Sequence, residues 1–279
     1  MIDAILFDID GTLITTGGAG AAAWRMAFED LHGIPADIGM FSDAGMTDPE
    51  VGRRTFVAVL DREPTPRELA TLLARRLAHL PGAVYESPRY RVLPGVDELL
   101  PKLADDGYLL GLTTGGTDSA AHIKLARANL ARWFTFGGYG SDSTDRTELT
   151  RCAIRRAGML VGMELDPANV LVVGDTPKDV DAARGAGAIS VAVASGHYSA
   201  GQLREAGADH VLDSLEEPLP LVGEPVVPPR APSFASGLRP ATQESRDFAR
   251  DGCGEPSSPP PKRTSKLVSA SRLDAPERS

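Results

Sequence analysis

Apolar positions follow two rhythms along this chain. Residues 4–7, Ala-Ile-Leu-Phe, are continuously apolar and stop abruptly at Asp8, Ile9, Asp10, Gly11 and Thr12. This is the pattern of a strand buried on both faces with a polar carboxyl end. Thr and Gly dominate 14–20, which reads as a turn leaving the core. The spacing then becomes helical, with Trp24, Ala27, Phe28 and Leu31 on one face of a helix that His32 and Gly33 end. Gly, Pro and Asp at short intervals make 34–47 a loop. Thr47 or Asp48 then caps a second helix, with Pro49 at its first position. Thr65, Pro66 and Glu68 open a third through a capping box, and its apolar face runs through Leu69, Leu72, Leu73, Leu77 and Leu80. Nothing between 19 and 83 carries a strong strand pattern, so a helical module is expected between the first strand and the rest of the sheet.

From about residue 92 the pattern alternates. It predicts a helix over 94–103, a strand over 108–112 ending in Thr113, Thr114, Gly115 and Gly116, a helix over 118–130 and a short strand over 133–136. A helix over 145–157 follows, with Asp145 and Glu148 in box-like spacing. The all-apolar strand 169–173 ends in Gly174, Asp175, Thr176 and Pro177. Helix 178–185, strand 188–194, a helix capped by Ser199 with Gln202 three residues on, and a strand near 210–212 complete the repeat. The expected fold class is α/β: a doubly wound, mainly parallel, Rossmann-like sheet with a helical cap inserted after the first strand. The expected domains are an α/β core over 1–14 and 92–222 and a helical cap over 15–91. Beyond 222 the last residues hold ten of the 22 prolines, many Ser and Arg, and almost no periodic apolar face. Segment 223–279 is therefore read as a disordered Pro/Ser/Arg-rich tail.

Composition narrows the function classes. A hydrophobic content of 42% over 279 residues supports a real core, and a net charge of -9 argues against nucleic-acid binding by a basic face. An acidic chain still binds phosphates where metal ions or local donors mask its charge. The two cysteines, Cys152 and Cys253, are far apart and suit a reducing compartment. No apolar run approaches a membrane span and no signal-peptide pattern opens the chain, so the expectation is a cytoplasmic protein without a membrane partner.

Candidate chemistry lies where strands end. Asp8 and Asp10 sit one residue apart at a strand's carboxyl end, the edge where open α/β sheets bind ligands, and two such acids can share a hard cation while keeping distinct roles. Alone, a D-x-D is more often an Asp-Gly turn, and Asp175 with Asp179 is equally an acidic helix N-terminus favoured by the dipole. Three polar turns in this order are far more specific. F-D-I-D-G-T-L at 7–13, L-T-T-G-G at 112–116 and V-V-G-D-T-P-K-D-V at 172–180 resemble the first, second and fourth motifs of the haloacid dehalogenase-like (HAD) superfamily. The likeness is to phosphoglycolate phosphatase-like hydrolases with a helical cap, and it covers roughly residues 1 to 220.

That resemblance implies an Mg2+-dependent phosphatase acting on a small phosphorylated metabolite through an aspartyl-phosphate. Asp8 would be the nucleophile, and Asp10 the general acid and then the base. The Mg2+ ligands would be Asp8, the backbone carbonyl of Asp10 and Asp175, with Asp179 orienting metal-bound water. A free Asp titrates near about 4, so an acid role needs a closed, poorly solvated site, which the inserted helices would supply. Thr114 and Gly115 would hold a phosphate oxygen, with a one-residue slip to Thr113 open. Gly116 stands where many relatives carry Asn or another polar residue.

The third motif departs from the family: no Lys lies between strand 133–136 and Asp175. Arg146 is the expected substitute, since Arg can hold phosphate with two donors. The competing reading is a surface Arg paired with Asp142 or Asp145; Lys178 and Lys124 are the next candidates. In the cap, S-D-A-G-M-T-D at 42–48 resembles the specificity loop, and Arg53 and Arg54 could meet a second anionic group. Of the five histidines, His197 falls nearest the site. Two alternatives stay open: β-phosphoglucomutase-like phosphoryl transfer and a non-catalytic HAD-like binding protein. A dehalogenase is disfavoured by Asp10, phosphonate cleavage by the absence of Lys from 14–91, and a receiver domain by length and by the insert.

Overall fold

The computed structural model describes residues 2–40 and 44–221. The expectation of a disordered 223–279 lies outside them, as do Ser42 and Asp43 of the loop at 42–48. β1 (Ala4–Phe7) is fully buried. It is followed by the two-residue β2 (Ile14–Thr15), then α1 (Ala19–His32), α2 (Asp48–Leu60) and α3 (Pro66–Glu86), and β3 (Arg91–Val92) returns to pair antiparallel with β2. The three helices thus leave and rejoin the sheet region through one short ribbon.

The remaining elements alternate: α4 (Val96–Asp105), β4 (Leu109–Thr114), α5 (Asp118–Ala126), β5 (Phe136–Tyr139), α6 (Arg146–Val161), β6 (Val170–Gly174), α7 (Pro177–Ala186), β7 (Ile189–Val193), α8 (Ala200–Glu205) and β8 (His210–Leu212). The six-stranded sheet has the order β5-β4-β1-β6-β7-β8, and every pair in it is parallel. This is the doubly wound α/β fold that the alternation predicts. Alternate residues of β1 serve opposite layers, as the two-residue strand period requires. Ile5 and Phe7 pack with Leu100, Leu112, Leu125 and Phe134, whereas Ala4 and Leu6 pack with Ala153, Ala157 and Ala183. Among the described residues no helix is long and apolar enough to cross a membrane.

Several boundaries differ from the pattern reading. The expected strand over 133–136 forms three residues later, and 131–133 is a 3-10 turn. Trp133 and Phe134 drew the reading forward, because glycines 137 and 138 carry no strand signal. They are needed there for a steric reason: a Cβ on Gly138 would run into the carbonyl of Leu149 on α6. β4 extends through Thr113 and Thr114, which pair with Gly138 and Tyr139. The helix expected over 118–130 stops at Ala126, just before Asn129 takes a positive φ of 57°. Asp145 accepts from Thr147 N at 2.8 Å as a simple cap, while Glu148 pairs with Arg151 instead of completing a box.

The helical insert has its own core. Trp24, Phe28, Val51, Phe56 and Leu72 are buried together. A second cluster, Ala19, Ala23, Leu80, Val84 and Ala120, seats α1 and α3 on α5 of the sheet layer. The capping box of α3 forms as read, with Thr65 and Glu68 exchanging side-chain and backbone bonds. Leu72→Ala should lower the unfolding free energy by roughly 2–5 kcal/mol, the cost of a buried leucine cavity, whereas Leu160→Ala, 55% exposed, should change it by less than about 0.5 kcal/mol. Urea denaturation of both variants checks this, and equal losses would contradict the insert core described here.

Candidate functional site

The register of the sheet brings the polar turns level. Phe7 lies between Leu112 of β4 and Val173 of β6, so Asp8, the turn at Thr114 and Asp175 emerge at one edge. Asp8 and Asp175 are buried, and Asp179 on the first turn of α7 is buried beside them. Carboxylate oxygens of the three lie within 4.8 Å of one another. Asp179 is held by its own helix start: its Oδ2 accepts from Thr176 Oγ1 at 2.7 Å and from Thr176 N at 3.0 Å. Thr12 Oγ1 donates to Asp175 Oδ1 at 3.3 Å, and Ser195 Oγ to the Gly11 carbonyl at 2.7 Å, fastening the turn that carries Asp10. Thr12, Thr176 and Ser195 gave no sequence signal beyond lying in or near the motifs, because their part is to hold other groups in place.

Thr113 and Thr114 point to opposite layers, as strand neighbours must. Thr113 Oγ1 meets Thr150 Oγ1 of α6 at 2.9 Å, while Thr114 lines the cavity. Gly115 adjoins it, and its carbonyl accepts from Asp48 N at 2.7 Å. A side chain at 115 would collide with the carbonyl of Met46, so the close approach of the insert to this turn requires glycine.

Arg146 is buried at the start of α6 and is not a surface residue. It forms an ion pair with Asp179, its Nη2 lies 3.6 Å from Asp8 Oδ1, and Nη1 donates to the carbonyl of Gly45 at 3.1 Å. The competing partners are engaged elsewhere: Asp142 pairs with Arg156 at 2.6 Å and Asp145 caps α6. Lys124, one of the next candidates for that role, is also buried, and its ammonium pairs with Asp10. The sequence reading missed this because α5 is only weakly amphipathic and its inward face is polar at this one position. Lys178 instead packs near Gly45 and lines a smaller neighbouring cavity with Thr147 and Asp181.

Burial of the acid cluster sets its proton affinity. Burial pushes Asp8 up to about 7; the negative charge of Asp179 adds to this, Arg146 opposes it, and Asp10 contributes further. Asp175 is pushed up to about 8, by burial and then by the charges of Asp8 and Asp179. For Arg146 burial disfavours the charge, yet Asp179, Asp8 and Asp175 together outweigh it and raise the guanidinium further.

A cavity of about 510 Å³ opens over this edge. Asp8, Asp10, Thr114, Lys124, Arg146 and Asp175 line it from the sheet side, and Trp24, Met46, Val51 and Arg76 from the insert. The insert is latched down: Thr117 N donates to Asp48 Oδ2 at 2.9 Å, and the buried Arg76 donates to the same oxygen at 2.5 Å. Of the loop at 42–48, residues 45–48 thus sit on the Gly115 turn and on Arg146. Arg53 and Arg54 do not reach the cavity; they pair with Glu50, and Arg53 also with Glu63. Their helical position one turn into α2 turns them outward, and Arg76 on α3 is the buried arginine of the insert. His197 lines the cavity, as its place in the sequence implied.

Comparison with known proteins agrees with this geometry. The family model for haloacid dehalogenase-like hydrolases matches residues 2–187. The phosphoglycolate phosphatase of Nitrosospira multiformis is 28% identical over 225 residues, covering 79% of this chain and 96% of the relative. The plasmid phosphoglycolate phosphatase of Cupriavidus necator is 30% identical over 215 residues, covering 76% and 90%. Among solved structures, a hydrolase from Pseudomonas syringae superposes with a TM-score of 0.59 at 25% identity, covering 76% of this chain and 94% of that one. With its motifs level at one sheet edge and the family match running over most of its length, this chain belongs to the haloacid dehalogenase-like hydrolases.

Proposed function

We propose that the protein is an Mg2+-dependent phosphatase that hydrolyses a small phosphomonoester through an aspartyl-phosphate on Asp8. The observation that carries the reading is the placement of Asp8: a buried carboxylate beside a buried guanidinium, in a cavity that Thr114 also lines and that the insert covers. The names of the relatives support phosphoric monoester hydrolysis as the reaction class.

In the first step an oxygen of Asp8 attacks phosphorus. The ester P–O bond breaks, and Asp10 gives a proton to the departing alkoxide. Thr114 Oγ1 and the amide side of the Gly115 turn receive phosphoryl oxygens, and Arg146 offsets the charge gathered around Asp8. In the second step Asp10 takes a proton from water, the water oxygen bonds phosphorus, and the bond to Asp8 breaks to release phosphate. Helices α1–α3, read as a cap domain over 15–91 on a core of 1–14 and 92–222, exclude bulk water during both steps.

The donor set fits a divalent cation. Asp8 and Asp175 bring hard oxygen ligands into a buried cluster, where burial and the neighbouring carboxylates raise proton affinity. Asp8, Asp175 and the Asp10 carbonyl would hold Mg2+, which when bound supplies positive charge next to the transferring phosphoryl group. Asp179 is assigned an orienting part, because Thr176 and Arg146 already occupy both its oxygens.

Asp8→Asn should lower Mg2+-dependent phosphate release by on the order of 10³-fold or more with the fold intact. A variant that retained near wild-type turnover on a panel of phosphomonoesters would remove Asp8 from the nucleophile role. Arg146→Lys keeps a charge but loses the fork, and should raise KM about tenfold; steady-state kinetics with unchanged kcat and KM would instead leave phosphate binding to other groups. A pH dependence follows from the raised carboxyls. Folded Asp8 and Asp175 keep protons that the unfolded chain, titrating near 3.8, has released, so stability present at low pH is lost as pH rises through about 7 and about 8. Mg2+ replaces those protons, and the rise in Tm that it causes should grow across the same window. A Tm increment that is flat between pH 5 and pH 8 would contradict the assigned ligands.

A further inference from the structure

We propose that Lys124 is a second cation of the phosphoryl site, holding Asp10 in position and donating to the phosphate seated at the Thr114 turn; this rests on the phosphatase reading above. Lys124 projects from the second turn of α5, the helix that the phosphate turn itself begins. Its side chain is 8% exposed, it lines the cavity, and its ammonium pairs with Asp10 Oδ2. The Lys124 carbonyl accepts from Tyr90 OH at 2.8 Å, which fixes this part of the helix from the insert side.

An ammonium has three donors. Among the described residues, Asp10 is the one acceptor that Nζ meets, so two donors are left at the cavity wall. The space beside Gly116 lies within their reach. A Cβ at that position would lie 3.9 Å from Lys124 Nζ and 3.8 Å from Thr114 Oγ1. The same empty spot is therefore bordered by the hydroxyl assigned to phosphate and by the ammonium. Asp48 Oδ2 also lies 3.8 Å from that point, but its charge is met by Arg76 and by Thr117 N. An anion at the Thr114 turn would therefore meet the ammonium beside the hydroxyl, with the nearby carboxylates of Asp10 and Asp48 each paired to a cation. Where a polar side chain at 116 would contact the substrate, this chain leaves the space open and reaches it from the second turn of α5.

The arrangement divides the work of a single third-motif cation. Arg146 faces Asp8 and Asp179, on the nucleophile side, whereas Lys124 faces Asp10, on the leaving-group side. A carboxyl exposed by 46% and tied at one oxygen keeps its other oxygen for the ester. Without Lys124 the Asp10 side chain would rotate freely, and protonation of the leaving group would suffer more than attack by Asp8.

The leaving group supplies the test. p-Nitrophenolate departs with little need for a proton, whereas the alkoxide of phosphoglycolate requires one. In the full-length chain, Lys124→Met should cut kcat on phosphoglycolate by about 10²-fold, cut it on p-nitrophenyl phosphate by less than about tenfold, and raise the Ki of inorganic phosphate about tenfold. Lys124→Arg should restore most of each. Equal losses on the two esters with unchanged phosphate inhibition would reduce Lys124 to a structural part and overturn the proposal, as would no loss at all. If Lys124→Met does not fold, the same comparison is made with Lys124→Gln, which keeps a polar head. Failure of the phosphatase reading is seen separately, as absence of Mg2+-dependent release from both esters by the wild type. Calorimetric binding of inorganic phosphate then decides for Lys124, since equal affinity of wild type and variant would overturn its phosphate contact.

Discussion

Four acids gather at the sheet edge of this protein, three of them buried, and the structure tolerates them because a buried guanidinium lies among them. Carboxylates taken out of water repel one another and lose hydration, at a cost of several kcal/mol per ion. Arg146 is placed to offset that cost for Asp179 and Asp8 at once. It can do so because α6 begins at Arg146, directly after the cap residue Asp145, with its first turn aimed at the cluster. The residual imbalance shows in Asp8 and Asp175, whose proton affinities stay raised, and this is the condition in which a site binds a hard cation well.

The fold provides the other half of the constraint. A parallel sheet with β1 between β4 and β6 delivers their carboxyl ends to one edge without any long loop. The insert leaves from the end of β1 and returns by β3, so its latch at Asp48 and its contact at Gly45 fall on the groups that the sheet has already aligned. The position of the insert and the charge state of the cluster are thereby linked through Arg146, which serves both.

Much of this was legible from the chain. The continuous apolar strands, the polar turns that end them and the capping boxes at Thr65 and Ser199 all arise from local chemistry, and they appear where the pattern placed them. What was hidden depends on contacts distant in sequence. β5 was displaced because Gly138 serves a close approach to α6, and Gly137 one to Tyr139 and Leu112, that no local pattern reports. The burial of Lys124 depends on an acid 114 residues away. Arg53 and Arg54 drew attention as a charged pair, whereas the arginine of the insert that is buried, Arg76, stood inside an ordinary Leu-rich helix and became visible only when Trp24 and Asp48 closed around it. Periodicity finds a face; it does not show which polar residue that face will enclose.

The short helix α5 carries a consequence for how this protein can vary. Ala120 offers a small surface on which α1 and α3 rest, Ala121 and Leu125 fill the sheet layer, Lys124 enters the cavity, and Thr117 at its start holds the latch. Of its nine residues only Asp118, Ser119, His122 and Ala126 face solvent. Sequence drift along this segment is therefore confined to those four positions, and an exchange of the insert for one of another shape would have to bring a compatible α5 with it.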